Sequence, residues 1–283
     1  MERIAISSET ALDLPKELLE ECDIHLVPFT IIMGEEQYVD LTFPPRKIYD
    51  YVDLTGKLAK TSAVNEFAYQ EFFDELLKSY DHVIHIALGD RISSTYSHAV
   101  EALKDPRFEG KVTLINSHTL SSAVGLQCVY ASKLVKEGLG HEEIAKKVIE
   151  RQDKIQVSFL IEKLDYLAKG GRCTKILAFG ANILRIHPQL IVEEGALTVG
   201  KKFRGPLSKV LYDYVDDVEK TSPKFDPDLA IVTHTVMPED MVEKVKERCL
   251  ERGFKRVVTV EAGGAVAIHC GPHAFSVIYY RED

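Results

Sequence analysis

The chain is predicted to fold as two α/β domains: residues 1–155 as a mainly parallel α/β/α layer, residues 156–283 as a mixed, largely antiparallel α+β unit. Three observations carry this expectation. Apolar, β-branched runs alternate with helix-spaced segments through about residue 155. Beyond that point, two apolar runs flank Glu194-Gly195, the pattern of an antiparallel hairpin. No Pro- or Ser-rich linker separates the halves, so they are expected to pack closely. A length of 283 residues suits one or two domains with a substantial core.

The elements follow in order. Ile4 to Ser7 reads as a buried strand, and Leu14-Pro15-Lys16 opens a helix with proline in its first turn. Ile24 to Met33 is a second apolar run, and Gly34 turns it into a short third strand as a hairpin. Phe67 to Leu77 carries apolar residues at helical spacing. His82 to Leu88 and Lys111 to Ile115 read as strands, each followed by a helix, the second ending at Gly138. In the second half, Gln156 to Ile161 is a strand, and the stretch from Leu164 to Leu184 is interrupted by Gly170-Gly171. The hairpin pairs Gln189–Glu193 with Ala196–Phe203. Strands at Leu229–Thr233, Arg256–Val260 and Ser276–Tyr280, with a helix from Pro238 to Arg252, complete the chain.

Composition excludes several classes. Thirty-five basic against forty-four acidic residues give a net charge of −9, which argues against a nucleic-acid binder. Lys201-Lys202-Phe203-Arg204 is a local basic patch, equally readable as a solvated turn. Five scattered cysteines without a Cys-x-x-Cys pair fit reduced thiols in the cytoplasm better than disulfides or zinc. The amino terminus runs straight into a strand without a signal-peptide core, and no apolar run is long enough to span a bilayer.

Chemistry-bearing residues fall into four groups on expected turns. These are Thr61-Ser62, Ser93-Ser94-Thr95, Gly170-Gly171-Arg172 and His269-Cys270-Gly271-Pro272. Hydroxyls, one guanidinium and one imidazole suit a single carboxylate or phosphate held by charge-assisted hydrogen bonds. Each group alone has a plainer account. Short hydroxyls cap helices, Arg172 reads as a surface cation, and His269 beside a turn reads as structural. The apolar stretch from Ile176 to Leu184 is either a core helix or the wall of a hydrocarbon tunnel. No Gly-x-x-x-x-Gly-Lys-Ser loop, Gly-x-Ser-x-Gly elbow or His-Glu-x-x-His spacing occurs, so neither ATP, a serine triad nor a metal or other cofactor is expected.

The order of these motifs resembles the DegV family of bacterial fatty-acid-binding proteins, across nearly the whole chain. Ser8-Glu9-Thr10-Ala11-Leu12-Asp13-Leu14-Pro15 resembles its opening Asp-Ser-Thr-x-Asp-Leu-Pro segment. Lys60-Thr61-Ser62-Ala63-Val64-Asn65 resembles its Thr-Ser-x-Pro-Ser loop, and Ile92-Ser93-Ser94-Thr95-Tyr96 its Leu-Ser-Gly-Thr-Tyr turn. The stretch Leu164 to Arg172, then Ile186-His187-Pro188, Phe203-Arg204-Gly205 and His269-Cys270-Gly271-Pro272, completes the series. Departures include Glu9, Val64, Asn65, Ser94, Asn116 and His273.

The resemblance implies a DegV-like two-domain fold with a tunnel between the domains for a long-chain fatty acid. Thr61 and Ser93 would hold the carboxylate, Arg172 and His269 would complete the polar site, and Ser62 and Ser94 are second-choice contacts. It further implies a carrier, not an enzyme, that presents the carboxylate to a separate ATP-dependent fatty acid kinase. Lys201, Lys202 and Arg204 are then the candidate kinase-docking patch. The rival reading is an enzyme on a small substrate, with His269 as acid–base and Arg172 as anion clamp. A long dry cavity favours the first and a small wet pocket the second.

Overall fold

A computed structural model describes residues 2–173 and 186–282. The apolar stretch from Ile176 to Leu184 therefore lies outside the described residues. The chain opens with strand β1 (Ile4–Glu9), helix α1 (Lys16–Glu21) and strand β2 (Ile24–Val27). Strands β3 (Thr30–Met33) and β4 (Glu36–Val39), helix α2 (Arg46–Thr55), strand β5 (Lys60–Ser62) and helix α3 (Glu66–Leu76) follow. Then come β6 (His82–Ala87), α4 (Thr95–Ala102), β7 (Val112–Asn116), α5 (Ser122–Lys136) and α6 (His141–Glu150). The expected parallel layer is the sheet β2-β1-β6-β7, whose pairings are all parallel. Every residue of β1 and β6 is buried, as central strands covered on both faces require.

Two features differ from the sequence expectation. The single apolar run 24–33 is two strands: β2 joins the parallel sheet, and β3 lies in a separate antiparallel sheet β4-β3-β5. Pro28 stands at the break, where a residue without an N–H cannot continue a ladder. Thr61 and Ser62 lie on β5 rather than on a turn, with Thr61 opposite Ile31. The polar letters Lys-Thr-Ser conceal an edge strand because its partner is thirty residues away. Asn65 does cap the next helix, its Oδ1 accepting from the Ala68 N–H at 2.9 Å.

The second half contains β8 (Ile155–Gln156), β9 (Ser158–Leu160), α7 (Leu164–Gly170), β10 (Ile186–Glu193) and β11 (Ala196–Arg204). It continues with α8 (Leu207–Thr221), β12 (Ala230–His234), α9 (Glu239–Arg252), β13 (Val257–Glu261), α10 (Gly264–Cys270) and β14 (Phe275–Tyr280). The seven strands form one mixed sheet, β11-β10-β9-β14-β12-β13 with β8 on β14, in which only β12 and β13 run parallel. The hairpin is as expected: Glu194 and Gly195 both take positive φ, 48° and 77°, the two-residue turn that matches strand twist. Apolar side chains of α8 and α9 cover this sheet around Tyr214, Val232 and Tyr279.

Helix α10 was not evident in sequence. Its seven residues are too few and too uniformly apolar to show a helical period. It packs against β3, β5, α2 and α7, so it links the two halves. Two buried carboxylates hold its start. Asp13 Oδ1 accepts from the Gly263 N–H at 2.8 Å, and Asp40 accepts from the backbone of Gly264 and Ala265.

Candidate functional site

One cavity draws its wall from both halves of the chain. Phe29, Leu88, Ile92, Leu120, Phe159 and Leu197 are among its apolar lining. Apart from Cys270, its remaining lining among the described residues that is not apolar is Thr61, Ser93, Arg172 and His269. Their placement follows from local structure. Thr61 projects from β5, and the period of two sends Ser62 to the opposite face, where it is exposed. Ser93 lies between β6 and α4, beyond the carboxyl ends of parallel strands, where anionic ligands commonly sit. Its Oγ accepts from the Thr95 N–H at 3.2 Å. Ser94 is exposed and does not line the cavity.

Arg172 follows α7, and its guanidinium donates to the Gly170 carbonyl at 2.6 Å. His269 ends α10, with Nε2 3.3 Å from Thr61 Oγ1. Among the described residues its Nδ1 is buried without a hydrogen-bond partner, facing Gly170. The tautomer with its proton on Nε2 turns a donor toward Thr61 and the cavity. Burial, and then the Arg172 charge, lower the His269 pKa to about 4. At neutral pH it is an uncharged hydrogen-bond donor, and Arg172 supplies the positive charge.

A second cavity shares Leu120, Phe159, Val266 and Cys270 with the first, so those four stand between the two chambers. On the other side, an open cleft shares Thr61, Arg172 and His269 with the first cavity and adds Lys57, Lys60 and Lys169. Thr61, Arg172 and His269 thus stand between the cleft and the first chamber, while Ser121, Thr233, His234, Thr235 and Ser276 add polar groups to the second. Lys201, Lys202 and Arg204 lie exposed along β11, with Lys201 paired to Asp217, and line neither chamber.

Behind Ser93 lies a network with no sequence signature. Glu9 is fully buried and accepts from the Leu88 N–H (3.0 Å), Tyr69 Oη (2.5 Å) and Thr95 Oγ1 (3.3 Å). His85 Nε2 lies 3.3 Å away, and its Nδ1 is 2.9 Å from Ser7 Oγ. Burial pushes the Glu9 carboxyl up, but His85, Tyr69 and the Leu88 amide outweigh it and hold it low. Glu9 thereby fixes both ends of the 88–95 segment that carries Ser93. Among the described residues, no group of three metal-ligating side chains converges on either chamber.

A family model described as "Uncharacterised protein, DegV family" matches residues 3–282. The chain belongs to the DegV family. A DegV domain-containing protein of Caldanaerobacter subterraneus is 30% identical over the full length of both chains. The fold matches a fatty-acid-binding DegV family protein from Thermus thermophilus, with a TM-score of 0.89, 24% identity and 99% of each chain covered. It also matches Bacillus subtilis DegV, a fatty acid binding protein, at 0.86 and 24% identity over 100% of both chains. A Eubacterium eligens DegV family protein loaded with heptadecanoic acid matches at 0.86 and 20% identity, over 99% of this chain and 100% of that one. No helix among the described residues is long and apolar enough to cross a membrane.

Proposed function

We propose that this DegV-family protein binds a long-chain fatty acid and presents its carboxylate to a separate ATP-dependent kinase, retaining the acyl phosphate. The observation that carries this reading is the wall of the first cavity: Cys270 aside, its described lining is apolar except for Thr61, Ser93, Arg172 and His269, three of which also line the open cleft. The tail lies in the chambers between the residue 1–155 and 156–283 domains. Each buried methylene contributes ~0.8 kcal/mol, so a long saturated tail offers roughly 10 kcal/mol of gross transfer energy. The head group needs pairing more than added affinity, because an isolated carboxylate is costly to bury. Two hydroxyls and the His269 Nε2–H donate to it, and Arg172 compensates its charge. The same donors accept an acyl phosphate.

An imidazole with a pKa near 4 is a weak base at neutral pH, which disfavours the rival reading of His269 as an acid–base catalyst. Five buried free cysteines suit a reducing cytoplasm. The basic stretch Lys201, Lys202 and Arg204 remains the proposed kinase-docking surface. Native mass spectrometry of the purified protein, followed by organic extraction, tests the lipid reading. One C16–C18 fatty acid per chain is expected, and Arg172→Ala should weaken its affinity ~10- to 100-fold, the worth of a charged hydrogen bond. An empty protein that also refuses added palmitate sinks the proposal.

A further inference from the structure

At the end of the parallel sheet opposite the cavity, three side chains from distant parts of the chain converge. Glu2 precedes β1, His82 opens β6 and His141 opens α6. The parallel pairing of β1 with β6 sets Ile4 opposite His82, which brings Glu2 to the same edge. The ligand atoms of all three residues lie within 4.8 Å of one another. His141 Nδ1 is 2.9 Å from both Glu2 oxygens, and its ring stacks on His82 with 3.7 Å between centroids. His82 is buried, with Nε2 2.8 Å from Thr113 Oγ1.

We propose that Glu2, His82 and His141 form a binding site for a zinc- or nickel-class divalent ion that ties the start of the chain to α6. Two imidazoles and one carboxylate are a donor set of that class, whereas calcium and magnesium want more oxygens than three residues supply. Stacked rings point their lone pairs side by side, so ligation turns the His141 ring, whose side chain is 28% exposed, toward the ion. Water completes the coordination. The site lies at the opposite sheet end from Ser93, so the ion takes no part in lining the chambers. Spacing motifs are blind to ligands at positions 2, 82 and 141.

The test is calorimetric titration of the chelator-treated full chain with zinc, nickel and magnesium, alongside Glu2→Gln and His141→Ala. Saturable binding of one zinc or nickel ion is expected, with no magnesium uptake. Each variant should weaken it ~10-fold or more, since even groups that only hydrogen-bond a metal ligand are worth that much. Both substitutions fall on partly exposed side chains remote from the chambers, so retained fatty-acid uptake verifies folding in each variant. Cobalt in place of zinc gives visible absorption bands whose intensity reports the coordination number of the site. Absence of saturable zinc or nickel uptake overturns the proposal, as does uptake that both variants leave unchanged.

Discussion

Gly170 and Gly171 stand side by side, yet each lacks a side chain for its own reason. A Cβ on Gly170 would lie 2.6 Å from His269 Nδ1, while one on Gly171 would meet nothing within 4 Å. Gly171 instead takes φ +73° to close α7, a backbone that other residues enter at a cost of ~1–2 kcal/mol. The two alanine variants should therefore separate. Gly170→Ala pushes the imidazole off Thr61 and is expected to weaken fatty-acid binding ~10-fold, the loss of about one hydrogen bond. Gly171→Ala is expected to lower stability by ~1 kcal/mol and leave affinity nearly unchanged. Ligand displacement and urea unfolding on both variants check this, and a reversed pattern would show that the glycine roles are misassigned. In sequence the pair reads only as a permissive break. Thr61, Ser93, Arg172 and His269 each read as ordinary capping or surface residues, and only their order along the chain singled them out.

Helix α10 joins two titrating sites of opposite sign, and although His269 stands out in sequence, neither shift does. At its start, burial raises the Asp13 pKa to about 7 despite hydrogen bonds from Ser121 and Gly263, with the Asp40 charge adding to the rise. At its end, His269 is held down to about 4. A carboxyl raised in the fold binds more protons folded than unfolded, so its contribution is greatest in acid and is lost as pH rises through 7. The depressed imidazole binds fewer protons when folded, so its contribution grows as pH rises from about 4 to its ordinary 6.5. In the native protein the two slopes oppose each other. Asp13→Asn keeps an acceptor for the Gly263 N–H and removes the first slope. Its stability relative to wild type should therefore increase steadily from pH 4.5 to 7.5, with a ceiling of ~4 kcal/mol. Parallel denaturant series at several pH values measure this, and a difference that stays flat would show that Asp13 does not titrate in the fold. The reason for the illegibility is distance in the chain: Asp13 meets α10 across 250 residues.

Over the whole molecule, alternating apolar runs and helical segments were enough to foresee a parallel sheet followed by a mixed one. They could not foresee the β4-β3-β5 sheet, because β5 is three polar letters paired to a distant strand. Nor could they foresee that α10 crosses into the first half and lends Val266 and Cys270 to both chambers. That crossing has a consequence for chain length. Under the proposed function, a tail longer than the first chamber would reach the second past Leu120, Phe159, Val266 and Cys270, which line both. Val266→Phe adds volume there while leaving Thr61, Ser93, Arg172 and His269 in place. Closing that route would strip water-excluding contacts from the distal methylenes only, each worth ~0.8 kcal/mol, or roughly a fourfold change in affinity. Competition with a saturated series from C10 to C18 should therefore show unchanged affinity for the short acids and a progressive loss for the long ones. A uniform loss across the series would mean that the substitution disturbs α10 and the head group together. An unchanged profile would mean that the second chamber receives no part of the tail.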